Sequence, residues 1–337
     1  KSFDIGDMPA KVKVGNQVIS WGEEIFVTGG INQINALSLP KYHTPGTQLK
    51  EVFIPAPMAS FNVGLTDTLN LEAYYQFKWN AYGLDPVGTY YSNTDVVGEG
   101  RQPIFYSTSY IDGLLGAGTC AASTPTGHCG DPLISGLDEA TLVAAGLAAP
   151  YGGERAAKNS GQYGIALRWT VEEIETEFGF CYERYHDKLP FVGYTARTNP
   201  DALVIDNFFI NYGEDKDLFG LSMNTMVGPV AVAGELSYRP NDSVGIDPTV
   251  AFGRGFTGTF NKFSVFDTGE HPGFVEEKKW QADVNAIYNF SASDPLGFIP
   301  SSLGASDGFL MAEAVVAHYP DLDTSGETPY VLPDYSL

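Results

Sequence analysis

Strict alternation of apolar and polar residues, over runs of about ten, is the feature that most constrains this chain. In residues 69–79 (LNLEAYYQFKW), Leu69, Leu71, Ala73, Tyr75, Phe77 and Trp79 share one parity; Asn70, Glu72, Tyr74, Gln76 and Lys78 share the other. Residues 163–169, 176–185, 218–225, 230–239, 280–290 and 309–318 repeat the pattern. Side chains at i and i+2 share a sheet face, so each run reads as a strand with one apolar and one polar side. Ten residues is about what a tilted strand needs to cross a bilayer. Trp79, Trp169, Tyr238, Tyr288 and Phe290 sit near the ends of apolar faces, as in the aromatic girdles of a barrel. A soluble sandwich or barrel would show the same alternation, because the pattern does not say what the apolar face meets.

Connection lengths discriminate between the two. Leu65 reaches Leu69 through residues 66–68, Val171 reaches Thr176 through 172–175, and Thr225 reaches Val230 through 226–229. These read as hairpin turns. The connections after Trp79, His186 and Arg239 are far longer than ordinary loops. Short turns at one end and long loops at the other predict an all-β fold, an antiparallel transmembrane outer-membrane β-barrel with short periplasmic turns and long extracellular loops. On this reading residues 1–337 form one barrel domain, and 80–160 form a long extracellular loop. Within segment 15–60, residues 29–35 (GGINQIN) are the least sheet-like. The segment is expected to bend inward onto a polar lumen, with an ordinary surface loop as the alternative. Residues 137–146 (LDEATLVAAG) predict a short helix.

The wall follows from the parity. Asn70, Glu72, Gln76, Lys78, Arg168, Glu177, Glu183, Asn224, Glu235, Arg239, Gln281, Asp283 and Asn285 are expected to face the lumen. Leu71, Tyr75, Phe77, Ile165, Leu167, Phe180 and Val284 are expected to face lipid. Arg168 stands where it could pair with Glu177 or Glu183. No His-Glu-x-x-His or Gly-x-Ser-x-Gly string is present. Ser222, His186 and Asn224 suit an outer-membrane hydrolase by residue type only, so no catalytic residue is assigned.

No apolar run approaches the ~18 residues of a membrane helix. With 41 Asp+Glu against 19 Lys+Arg and a net charge of −22, nucleic acid is excluded as a partner, since phosphates need a basic face. The acidity is expected on loops and rims, repelling anionic solutes and admitting neutral or cationic ones. Glu214, Asp215 and Asp217, and Asp321 and Asp323, could offer oxygen ligands to Ca²⁺. They lack the spacing and Gly of a calcium loop, so a hydrated rim is favoured and no metal or cofactor is expected. Cys120 and Cys129 close a polar loop and are expected to form a disulfide. A metal site with His128 is the rival and lacks further ligands. Cys181, inside a strand, reads as a small packed side chain.

Segment 15–60 carries VISWGE, GGINQIN, PGTQLKE and PAPM; SGQYGIALRW, TEFGFCYERYHDKLPFV, LFGLSMNT and GELSYRPN follow. In this order the strings resemble the proteobacterial family called domain of unknown function 1302. The resemblance implies an outer-membrane protein of a Gram-negative bacterium, among outer-membrane lipid and lipopolysaccharide. It implies a setting beside a periplasmic lipoprotein and an exporter. It also implies a precursor longer than this chain, and the ends, Lys1-Ser2-Phe3-Asp4 and Pro333-Asp334-Tyr335-Ser336-Leu337, read as cut from within one. The function it implies is passage or reception of a hydrophobic or amphipathic solute. The alternative is a structural or surface-interaction barrel whose loops bind a partner or another copy.

Overall fold

The computed structural model describes residues 1–92, 94–105, 138–195, 205–246, 259–260, 263–264 and 269–322. The calls on Cys120, Cys129, His128 and Asp323 lie outside these residues. Ten strands make the main sheet: β1 (Ser2–Ile5), β2 (Met8–Gln17), β3 (Ala56–Gly64), β4 (Leu69–Gln76), β5 (Gln162–Val171), β6 (Thr176–Tyr185), β7 (Lys216–Val227), β8 (Val230–Gly245), β9 (Phe274–Ser291) and β10 (Asp307–His318). Each pairs antiparallel with the next along the chain, so the sheet is a meander with β1 and β10 at its edges. The fold is all-β, dominated by this sheet. The seven alternating runs became β4 to β10.

Register puts like with like. Leu71, Leu167, Phe180, Leu221, Leu236, Ala282 and Val316 are successive partners across seven strands. On the other parity, Asn70, Arg168, Gly179, Ser222, Glu235 and Asp283 form a matching polar row. A slip of one residue in any pair would mix the faces, so the alternation itself selects the register. Residues 6–7, 65–68, 172–175, 228–229 and 292–306 connect strands at one end; 18–55, 77–161, 186–215 and 246–273 connect them at the other. The sorting is imperfect: 292–306 is longer than a hairpin turn and contains the helix Phe298–Ser302.

Two expectations on the run at 69–79 are corrected. The strand ends at Gln76, whose Nε2 donates to the Lys78 carbonyl at 2.7 Å, just past the last bond to the neighbouring strand, Phe77 N–H to the Pro57 carbonyl at 2.9 Å. Lys78 and Phe77 therefore follow the strand, both exposed. Trp79 is buried rather than girdling the apolar face. It stacks edge-on against Tyr212 at 4.5 Å and donates from Nε1 to the Asp187 carbonyl.

The long connections build structure of their own. A four-stranded sheet joins Glu270–His271, Phe191–Thr195, Asn207–Asn211 and Tyr151–Arg155, in that order. Its last pair is parallel, which strand alternation along the chain did not foretell. The predicted helix is Glu139–Ala144, with the Asp138 side chain accepting from the Thr141 N–H at 2.7 Å. Leu142, Ala149, Tyr194, Ile205, Phe208 and Ile246 form the core of this cap. Arg101 lies 3.5 Å over the Tyr151 ring and forks onto Glu139. Phe208 is fully buried there, so Phe208→Ala should cost about 3–5 kcal/mol. A urea titration of wild type and variant measures this directly.

Candidate functional site

The main sheet has its polarity reversed relative to a soluble core. On the apolar face, Ile165 is 48% exposed, Phe180 46%, Leu221 42% and Val284 57%. On the polar face, Gln76, Glu183, Glu235, Arg239, Gln281, Asp283 and Asn285 are buried. Asn70, Glu72, Arg168 and Glu177 are half-buried, and Asn224 is exposed. Tyr75 is exposed on the apolar face, and Leu71 and Leu167 are half-buried.

Residues 18–35, the first part of the connection between β2 and β3, bury the polar face. Trp21 Nε1 donates to Glu72 on β4 at 2.7 Å. Arg168 on β5 donates to the Trp21 carbonyl at 3.3 Å. The Glu23 N–H donates to Glu235 on β8 at 2.6 Å, and Asn285 on β9 donates to the Glu23 carbonyl at 2.6 Å. The N–H groups of Ile25, Phe26 and Val27 converge on the Glu313 carboxylate of β10 at 2.6, 2.8 and 2.8 Å. Glu235 also accepts from Ile31 N–H at 2.8 Å; Arg239 donates to the carbonyls of Gly29 and Gly30. Lys188, beyond β6, donates to the Gln33 carbonyl at 2.6 Å.

Carboxylates of the sheet thus take the segment's amides, and cations and an amide of the sheet, with Lys188 beyond it, take the segment's carbonyls. The arrangement has a simple cause. Buried backbone groups need partners, and the ladder beneath has already paired its own. A chain crossing a sheet face must be met by side chains. Wall glycines provide sockets: a Cβ at Gly164 would lie 2.8 Å from the Trp21 ring, and one at Gly220 would lie 2.7 Å from the Ile31 side chain.

Charge on the connections is shifted by this burial. Burial, then repulsion from Glu235, pushes the Glu24 carboxyl up to about 8, against the bond it accepts from Gly30 N–H. Burial raises Asp187 to about 6 and lowers Lys188 to about 8.

Arg168 pairs with Glu177 at 2.8 Å. Glu183 sits elsewhere, opposite Gly164 and Leu218, and neither of its oxygens has a hydrogen-bond partner among the described residues. Cys181 is a packed thiol beside Ile31. The hydrolase residues do not converge. Ser222 lies opposite Gly179, while His186 follows Tyr185, seven residues and roughly 23 Å further along β6. His186 already uses both ring nitrogens, on Asp215 N–H and the Ser160 carbonyl. The acidic strings face cations: Asp215 meets Lys158 at 2.5 Å, Asp217 meets Arg184 at 3.0 Å and Asp321 meets Lys278 at 2.9 Å. Sequence reasoning left Glu313, Glu24 and Lys188 out of the site. Glu313 carried a signal, as a polar residue among the apolar ones of β10; Lys188 carried none.

A family model described as protein of unknown function, DUF1302, matches residues 1–332. No curated protein matches the chain.

Glu235→Ala would strand the buried N–H of Ile31, at about 1–3 kcal/mol, together with the half-buried N–H of Glu23. Hydrogen exchange at those two amides should accelerate accordingly. For Glu24, the docked segment holds a proton that the undocked one releases. Its contribution is complete below pH 4.5 and is lost as pH rises through about 8. Protease cleavage within 18–35 should increase from pH 5 to 9, and Glu24→Gln should flatten that component of the profile.

Proposed function

The chain belongs to the DUF1302 family, and on that premise we propose that its main sheet is the wall of an outer-membrane β-barrel of a Gram-negative bacterium. The barrel serves passage or reception of a hydrophobic or amphipathic solute. The observation that carries this is the reversed polarity: an exposed apolar face running from β4 to β10 over a buried polar one. Monomeric soluble proteins rarely expose contiguous apolar patches of more than a few hundred Å², whereas a barrel wall in lipid requires one.

Aromatic order supports the same reading. Tyr163, Tyr182, Phe219, Tyr238 and Trp280 run strand to strand with centroids 6.2, 5.3, 6.5 and 4.3 Å apart, toward the long connections. Trp169 and Phe178, 6.1 Å apart, lie nearer the turns. Two such levels suit the two interfaces of a bilayer. Residues 21–27 touch both β4 and β10. Those strands are six spacings apart, about 29 Å in a flat sheet, which suits a wall curled around the segment.

The filling of the polar face by residues 18–35, together with the folded cap, favours a second reading. In it the barrel is structural, and its long connections bind a partner or another copy. Current across planar bilayers separates the two: steady conductance supports passage, and its absence supports the plugged, structural form. Both readings require lipid on the apolar face. Leu167→Arg should therefore cost about 2–4 kcal/mol for unfolding from bilayers, and Asn70→Arg on the polar face should cost little. Equal costs at the two positions would overturn the membrane assignment.

A further inference from the structure

Beside the covering segment, the polar face of β2, β3 and β4 stays open. One cavity of about 370 Å³ lies against Ser20 and Trp21, with Lys13, Gln17 and Glu72 in its lining. A second, also about 370 Å³, extends toward the turn end past Asp4, Gly64 and Asn70. Lys11 and Asn62 line both, so the two make one lane along the inner side of β2 and β3.

The lane is balanced in charge where the chain is strongly acidic, with Lys11 and Lys13 set against Asp4 and Glu72. Elsewhere on the polar face, Arg168, Lys216 and Arg239 each meet a carboxylate at 2.8, 2.6 and 3.0 Å. Lys11 and Lys13 are exposed and form no ion pair within 4.0 Å among the described residues. They share a strand face two positions apart, roughly 6.6 Å, and repel each other. The neighbouring Glu72 already accepts from Trp21 Nε1 at 2.7 Å and from Asn62 Nδ2 at 3.0 Å. Asp4 stands at the turn end of the same lane without closing a pair to Lys11. Two adjacent cations without an ion pair, beside the amides and hydroxyls of Gln17, Asn62 and Ser60, make a site for a negative group.

We propose that this lane binds solutes carrying a carboxylate, with Lys11 and Lys13 as the residues that read the charge. The proposal rests on the reading of this face as a lumen, and it names the solute class. The acidic rim would disfavour such solutes at the mouth; the two unpaired lysines hold them inside.

The test uses the whole chain in detergent and three probes of one chain length, octanoate, 1-octanol and octylammonium, titrated calorimetrically. Partition into micelles is common to all variants, so differences between proteins report the site. Wild type should bind octanoate at least about tenfold more tightly than octylammonium or octanol. K11Q/K13Q should lose about that factor, while K11R/K13R and the surface control K41Q/K50Q should keep it. Retention by the arginine variant excludes misfolding as the cause. Unchanged octanoate affinity in K11Q/K13Q, or equal binding of the three probes by wild type, would overturn the proposal. Flotation of the wild type with liposomes tests the barrel separately, so a protein that fails to float but shows lysine-dependent octanoate binding would fault the barrel reading alone.

Discussion

The contact between residues 18–35 and the polar face of the main sheet is the interaction on which the rest of the structure depends. A loop lying on a sheet cannot borrow hydrogen bonds from a completed ladder, so its amides and carbonyls turn to side chains. Glu235 and Glu313 accept five of its N–H groups, and Arg168, Arg239, Asn285 and Lys188 donate to its carbonyls. Glu23 alone makes hydrogen bonds to β7, β8 and β9. The segment ties distant strands together through its backbone, so its path is set by wall side chains more than by its own.

This contact also explains why so many charged groups are buried together. Charges removed from water are costly unless hydrogen-bonded and paired. Here the Arg239 guanidinium is shared among Asp242 and the carbonyls of Gly29 and Gly30. Where burial outweighs the hydrogen bond supplied, the cost appears as shifted ionisation, as at Glu24, which accepts from Gly30 N–H. The uncovered strip over β2 to β4 is the complement of this packing: the segment crosses toward β10 and leaves Lys11 and Lys13 facing space.

Much of the main sheet was legible because a strand's side chains alternate with period two. The runs at 176–185 and 309–318 return as β6 and β10 with nearly the same bounds. The run at 69–79 went too far, because alternation through Trp79 continues past Gln76, the last residue paired in the ladder. β2 was not recognised: Lys11, Lys13 and Gly15 stand against Val12, Val14 and Asn16 in a run with few large apolar residues. The cap was legible only at its helix, where Asp138 and the following acidic turn mark the start. Its short strands, as in Tyr151–Arg155, pair with residues far away in the chain and have no period of their own.

What the sequence determined by itself is the two-faced sheet, its register and the alternation of connection lengths, because these follow from local periodicity and from spacing along the chain. What only the tertiary structure decided is which polar residues work together. Glu313 and Ile25 are 288 positions apart, and Arg239 and Gly30 are 209 apart. No local pattern links them, since a backbone amide leaves no mark in a sequence and any residue can supply one. The choice of Glu177 over Glu183 as partner of Arg168 was settled the same way, by the two positions' heights along one strand face.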